Sequence, residues 1–319
     1  MAQRRERYAD LGPEVAAAAS ALRALVDAWT LRALPLLEAT ELESPADVLA
    51  AHSTVYELQK YAVARRLDRD AAFGMWRRDM LWRLRTYGGV DSMPERITLP
   101  AIYISHSVRV TPSKRMNYTR DREGGLVWVA SSGMFQGAAF EALVGARCMV
   151  WTTVYVMEVI RSDLRRHFNA NVELDDPRLT IIADLAEFDY WRSPYSMGLA
   201  KQLALLVQEH YPEVMKRFLI VNAPWAFSAV WAVVKHFFDA AVVAKCALVG
   251  AASTHAALLE HIADDQIPQY LGGAFVPPDG DPECANFFCR CGALPDDAAA
   301  EPELDAAVEG MTIELADIE

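Results

Sequence analysis

No run of about 20 apolar residues occurs in the 319-residue chain, and that lack excludes a transmembrane helix. Also missing are G-x-x-x-x-G-K-[ST], G-x-G-x-x-G, G-x-S-x-G and H-E-x-x-H. The chain therefore has no P-loop, no dinucleotide fingerprint, no nucleophile elbow and no zincin helix. Basic residues are too few and too dispersed for a nucleic-acid-binding face; Arg4, Arg5 and Arg7 form only a short cluster. The first residues are charged with no apolar core directly behind them, so no secretory signal is expected. Five cysteines, an odd number without regular spacing, point to a reducing compartment. Cys284, Cys289 and Cys291 are spaced C-x4-C-x-C. Zinc would need a fourth ligand and paired spacing, so no metal is expected. These absences predict a cytosolic protein that meets membranes only peripherally and has no nucleic-acid partner.

Hydrophobic residues make up 53% of the chain, enough for a sizeable core in one large α/β domain or two modest ones. The net charge of -12 is unevenly placed. From Val276 to the C-terminus there are twelve acids and one base, Arg290, while the body before it is close to neutral. This Pro-, Ala- and acid-rich stretch, 276–319, is expected to be a disordered tail, with a partner that the sequence does not identify.

Helical spacing runs from 13 to 39, with Pro35 expected to break or end it. A second helix is predicted over 45–58 and a third over 69–87. In the third, Phe73, Trp76, Met80, Leu84 and Tyr87 recur at spacings of three and four, and Gly88-Gly89 stops it. Residues 1–90 thus read as a helical subdomain. Beyond it, strands are predicted at 126–130, 179–185, 218–221 and 246–249. They alternate with helices over 138–168, 196–210 and 225–238. The helix over 196–210 is expected to carry Met197, Ala200, Leu203 and Val207 on one face. Strands apolar on both faces that alternate with helices predict an α/β fold, a mostly parallel sheet covered by helices.

The segment over 225–238 is apolar nearly all round. Phe227, Trp231, Val234 and Phe238 line one face, and Val230, Val233 and Phe237 broaden it. Such a helix is normally buried in a core, but a lid over an apolar cavity would carry the same pattern. At about 21 Å for 14 residues it is too short to cross a bilayer.

Between Tyr211 and Phe275 stand Tyr211-Pro212-Glu213, Phe218-Leu219-Ile220-Val221-Asn222-Ala223-Pro224, Lys235 through Asp239, Lys245 and Leu271-Gly272-Gly273. Upstream lie Ile182-Ala183-Asp184-Leu185, Asp121-Arg122-Glu123-Gly124 and Ala64-Arg65-Arg66-Leu67-Asp68. In this order and spacing the residues resemble the CRAL-TRIO lipid-binding family, in particular its phosphatidylinositol-transfer branch. The resemblance spans roughly 45–275. It implies the CRAL-TRIO fold, an N-terminal helical part followed by a lipid-binding domain over 91–275 whose sheet floors an apolar ligand cavity. It also implies a helix after the Asn-Ala-Pro turn that gates the cavity, here carrying Trp225, Phe227, Trp231, Phe237 and Phe238.

By the same resemblance Arg65, Glu213 and Lys245 match the family's head-group residues, with Arg66 beside Arg65 able to substitute. Lys or Arg suits a phosphodiester through charge-assisted hydrogen bonds, and a carboxylate accepts from inositol hydroxyls. The family's Thr is here Val242, and its small hydroxyls before Asp184 are here Leu179 and Ile181, which turns the expectation away from phosphatidylcholine. Asp184 is read as structural. The expected ligand is one phosphatidylinositol-like phospholipid, with no cofactor and no catalytic chemistry. The alternatives are a sterol-, retinoid- or tocopherol-like hydrophobe, or a lipid-sensing regulatory module.

Overall fold

The structure is a computed structural model that describes residues 12–39, 45–87, 113–114, 119–134, 178–189, 196–276 and 280, with single positions between 150 and 164. The boundary expected at residue 90, the Gly88-Gly89 stop, most of the helix expected over 138–168 and most of the acidic tail lie outside these residues.

The first four helices among the described residues are α1 (Pro13–Glu38), α2 (Pro45–Ala51), α3 (Val55–Ala64) and α4 (Arg69–Tyr87). Pro35 does not end α1, which runs on to Glu38. A proline removes the bond to the carbonyl four residues back, here that of Leu31. Leu31 is 79% exposed, so the freed carbonyl sits on the open side of the last turn.

The single helix expected over 45–58 is two. Thr54-Val55-Tyr56-Glu57 has the sequence of a capping box, and the Thr54 hydroxyl accepts from Glu57 N at 3.3 Å. Carbonyls freed by the break at 52–54 find other donors. Trp76 Nε1 bonds His52 O at 3.0 Å and Arg23 Nη1 bonds Ser53 O at 2.7 Å. The four helices close on Leu22, Val26, Leu49, Leu58, Tyr61, Met75, Trp76, Met80 and Leu84, all buried. The stripe expected on α4 thus packs inward at Trp76, Met80 and Leu84, with Phe73 partly buried beside them.

Among the described residues the sheet has five strands in the order of the chain: β1 (Ser113–Lys114), β2 (Val127–Ala130), β3 (Leu179–Asp184), β4 (Met215–Val221) and β5 (Cys246–Leu248). β1 is antiparallel to β2, and the other neighbours are parallel. Between β3 and β4 lies α5 (Met197–His210), capped by the Ser196 hydroxyl. It buries Leu199, Leu203, Ala204, Leu206 and His210. Of the expected face Leu203 is buried, whereas Met197 is 44% exposed, because the buried stripe runs through 199, 203, 206 and 210 and leaves residue 197 outside it.

Among the described residues the two faces of the sheet are covered unequally. Val127, Val129, Ile182, Leu219 and Val221 point to one face, and pack with Ile262, Ile267, Leu271 and Leu258 of α8 (Thr254–Leu259) into a cluster of nine buried residues. On the other face only Ala183, Leu185 and Ile220 are buried among the described residues of their cluster. The Gly272-Gly273 pair belongs to the well-covered face. Gly272 has φ 93°, and a Cβ on Gly273 would lie 2.3 Å from Ile267 O, so both positions demand glycine.

Candidate functional site

The thinly covered face carries an apolar strip. Ala183, Leu185 and Ile220 form its floor, with Phe188, Phe218, Ala223, Leu248, Phe227 and Trp231 half-buried around them. Phe188 and Phe227 meet edge to face with centroids 5.2 Å apart. The cover is the crossover from β4 to β5. After Asn222 (φ 51°) and Pro224 the chain turns at Trp225-Ala226 and forms α6 (Phe227–Val234), a 3-10 turn over Lys235–Phe237, and α7 (Ala240–Val243).

The continuous helix expected over 225–238 is therefore shorter. Trp225 precedes it and is 90% exposed; Phe237 sits in the 3-10 turn; Phe238 is extended. No residue on α6 is buried, which departs from the pattern of a core helix. Phe227 and Trp231 pack toward the sheet, and Val233, 51% exposed, faces away. Half-burial arises because the floor under α6 has few large buried side chains for a helix to fill against.

Polar groups gather where the crossover re-enters the sheet. Lys245 precedes β5 and Glu213 precedes β4. Lys245 Nζ lies 3.1 Å from both Glu213 carboxylate oxygens and donates to Met215 O at 3.0 Å. Arg178, just before β3, reaches Glu213 Oε2 at 3.3 Å. Glu213 holds a left-handed φ of 51°, a strained conformation for a residue with a side chain. Val242 supplies only its carbonyl here, which accepts from Lys245 N at 3.0 Å.

Of the four expected head-group residues, Glu213 and Lys245 come together. Arg65 instead pairs with Glu209 of α5 at 2.6 Å and approaches Asp239 at 3.9 Å. Burial pushes the Glu209 carboxyl up, but bonds and charges from Arg78 and Arg65 outweigh it and hold its pKa below the usual range. Arg66 is exposed in a left-handed turn, φ 53°. Among the described residues no hydrogen bond or ion pair joins Arg65 or Arg66 to Glu213 or Lys245. Arg178 was not foreseen; its only sequence signal is a basic residue directly before a buried strand.

Asp184 is structural, as expected. Its Oδ1 accepts from Ala186 N at 2.9 Å and Asn222 Nδ2 at 2.7 Å, tying the ends of β3 and β4. Asp121 serves the opposite end of the sheet. One oxygen accepts from the backbone N–H of Glu123 and Gly125, the other from the Thr180 hydroxyl at 2.7 Å and Lys216 Nζ at 3.1 Å. The two positions expected to lack a head-group hydroxyl, Leu179 and Ile181, flank this buried Thr180 on β3.

Among the described residues no helix is long and apolar enough to cross a membrane. The sequence over residues 115–273 matches the CRAL/TRIO domain. Curated relatives align over parts of the chain. The Sec14 cytosolic factor of Schizosaccharomyces pombe is 40% identical over 80 residues, 25% of this chain and 28% of that protein. The phosphatidylinositol transfer protein CSR1 of Eremothecium gossypii is 37% identical over 108 residues, 32% of this chain and 24% of that one. Protein real-time of Drosophila pseudoobscura is 24% identical over 244 residues, 75% of this chain but 35% of that protein. The matches thus span about a third or less of these relatives. The crystal structure of Sfh5 aligns over 62% of this chain and 64% of its own, at 15% identity and a TM-score of 0.43. The parallel sheet, the crossover helix on one face and the matched span define the class: through residues 115–273 the chain belongs to the CRAL/TRIO family.

Proposed function

We propose that this chain holds one phospholipid, phosphatidylinositol-like by preference, in the apolar strip beneath α6 and exchanges it with membranes. The observation that carries the reading is the unequal sheet. Among the described residues one face is closed by a well-buried cluster, and the other is roofed by a helix with no buried residue, with a cation–carboxylate group at one end. Burying acyl chains there gains about 0.8 kcal/mol per CH₂. A few polar groups at the end of an apolar slot then fix the ligand's orientation.

In this reading binding is an exchange of partners. A phosphodiester takes the Lys245 ammonium from Glu213, and Glu213 accepts from inositol hydroxyls while keeping Arg178. Arg65 and Arg66 enter only after Arg65 leaves Glu209. The mechanism needs no cofactor and no catalytic step. In the same reading the protein works in the cytosol and touches membranes transiently and peripherally. The two relatives named for Sec14 and for phosphatidylinositol transfer support the same ligand class.

Val242, where a hydroxyl would complete the head-group site, favours a second reading in which the ligand is a non-phospholipid hydrophobe. Transfer between vesicles separates the two. The parent protein should move labelled phosphatidylinositol, and Lys245→Ala should slow it about tenfold, the loss expected for one hydrogen bond to a charged group. Glu213→Ala should act in the same direction. Equal transfer by Lys245→Ala and parent removes Lys245 from the site. Equal effects of Glu213→Ala on all lipids make Glu213 structural.

A further inference from the structure

We infer that Gln208, a residue outside every motif above, is the clamp that holds the roof over the apolar strip closed. The inference rests on the lipid-exchange reading for its purpose, but its geometry is independent of which ligand is bound. The Gln208 side-chain amide meets the backbone of the roof at two points. Its Nε2 donates to Phe237 O at 2.9 Å and its Oε1 accepts from Asp239 N at 2.6 Å. Only one orientation of the amide satisfies both, so the assignment of oxygen and nitrogen follows from the partners. The same Nε2 lies 3.3 Å from Ala204 O of its own helix.

The two clamped residues bracket the place where the roof changes conformation. The 3-10 turn ends at Phe237, Phe238 is extended (φ -110°, ψ 148°), and α7 begins after Asp239. Such a switch between two helical pieces is where a hinge absorbs motion. The two sides of the clamp differ in how firmly they are held. α5 is N-capped and buries five residues, and at its end His210 is gripped by Asp79 and Arg83 of α4. α6 buries none. Elements with few buried contacts open at low free energy, so a bidentate bond at the hinge contributes a large share of what keeps this one shut. Glu209, the next residue, extends the anchor through Arg65 and Arg78, and Arg65 also approaches Asp239. Gln208 is accordingly a positioning residue, acting on the ligand only through the hinge.

Hydrogen exchange read by mass spectrometry tests this on the full chain, with no lipid assay required. In Gln208→Leu, peptides covering 227–239 should exchange faster by roughly tenfold, as expected for two modest hydrogen bonds. Strands 179–184 and 215–221 should keep the parent's protection. Gln208→Glu retains an acceptor for Asp239 N–H and loses the donor to Phe237 O, so it should fall between. It also decides the question if the leucine variant does not fold. Unchanged exchange over 227–239 overturns the clamp, and so does equal acceleration across the whole chain. Where the parent transfers phosphatidylinositol, Gln208→Leu should also release it faster from loaded protein; unchanged release removes the clamp from gating. A parent that transfers no lipid defeats the proposed function, and the exchange comparison still decides the clamp.

Discussion

Asp79 and Arg83 stand one turn apart on α4, and both are buried where charges are costly. The cost is met by a closed set of partners. Asp79 accepts from Tyr61 OH, from Arg83 Nε at 3.1 Å and from His210 Nδ1 at 2.9 Å. Arg83 reaches Glu158 at 2.6 Å and the His210 carbonyl at 2.9 Å, an orphan acceptor at the end of α5. The His210 ring stacks on Trp82 with centroids 3.8 Å apart. Burial pushes the Asp79 carboxyl up, but Arg83 and His210 together hold it below its usual value; Glu158 is held down likewise, against burial, by Arg83 and Arg161. Folded-state pKa values lower than unfolded ones stabilise above the unfolded pKa of about 4 and cease to do so as pH falls through the folded values. The melting temperature should therefore hold from neutral pH to about pH 5 and fall steeply below about pH 4. Asp79→Asn should start lower and show a shallower acid slope. Identical slopes in the two proteins would mean that this network does not carry the acid sensitivity. Only one trace of it is visible in the sequence. Asp79 and Arg83, spaced by four, fall among Met75, Trp76, Met80 and Leu84, on a stripe otherwise read as apolar. The partners come from distant segments that no local pattern links.

Strands and helices were legible to different depths. β3 and β4 stand out by their apolar runs, Ile181-Ile182-Ala183 and Phe218-Leu219-Ile220-Val221; the span expected for β3 overshoots by one residue, and that for β4 misses Met215-Lys216-Arg217, where two charged residues hide the start of the strand. The break between α2 and α3 was legible in principle from the Thr54 cap, yet apolar periodicity continues across it. The end of α6 was not legible. Its residues favour helix through Phe238, whereas in the structure Asp239 N bonds Gln208, 31 residues earlier, a partner that no local pattern announces. The same element separates two aromatic roles that sequence left open. Trp231 packs toward the floor of the strip, whereas Trp225, 90% exposed at the start of the roof, faces outward. Aromatic residues so placed favour a bilayer interface. Trp225→Asp should weaken vesicle association and slow transfer while the melting temperature stays within about 1 °C, since an exposed site away from special features changes stability little. Trp231→Asp puts a charge against apolar surroundings and should lower the melting temperature or expel the ligand. If both variants lose stability alike and neither loses membrane contact selectively, the roof is ordinary packing and does not open onto bilayers.

At the scale of the whole molecule, the helical part and the sheet are joined at the end of α5. The α4 residues Asp79 and Arg83 hold His210, and Glu209 holds Arg65 and Arg78, three to four residues before Glu213 enters the polar end of the strip. The N-terminal helices therefore fix the position of the candidate head-group carboxylate as well as packing among themselves. In the structure Arg65, within Ala64-Arg65-Arg66-Leu67-Asp68, bonds Glu209 of the helix that ends at His210, directly before Tyr211-Pro212-Glu213. The central claim is that the thinly roofed face of the sheet encloses a single phosphatidylinositol-like lipid. Its most direct test is mass spectrometry of the organic extract from the purified, undenatured full chain, with the molar amount of lipid counted against protein. The account predicts phosphatidylinositol masses approaching one per chain, reduced in Lys245→Ala. A stoichiometric sterol or retinoid, or an extract with no lipid at all, would contradict it.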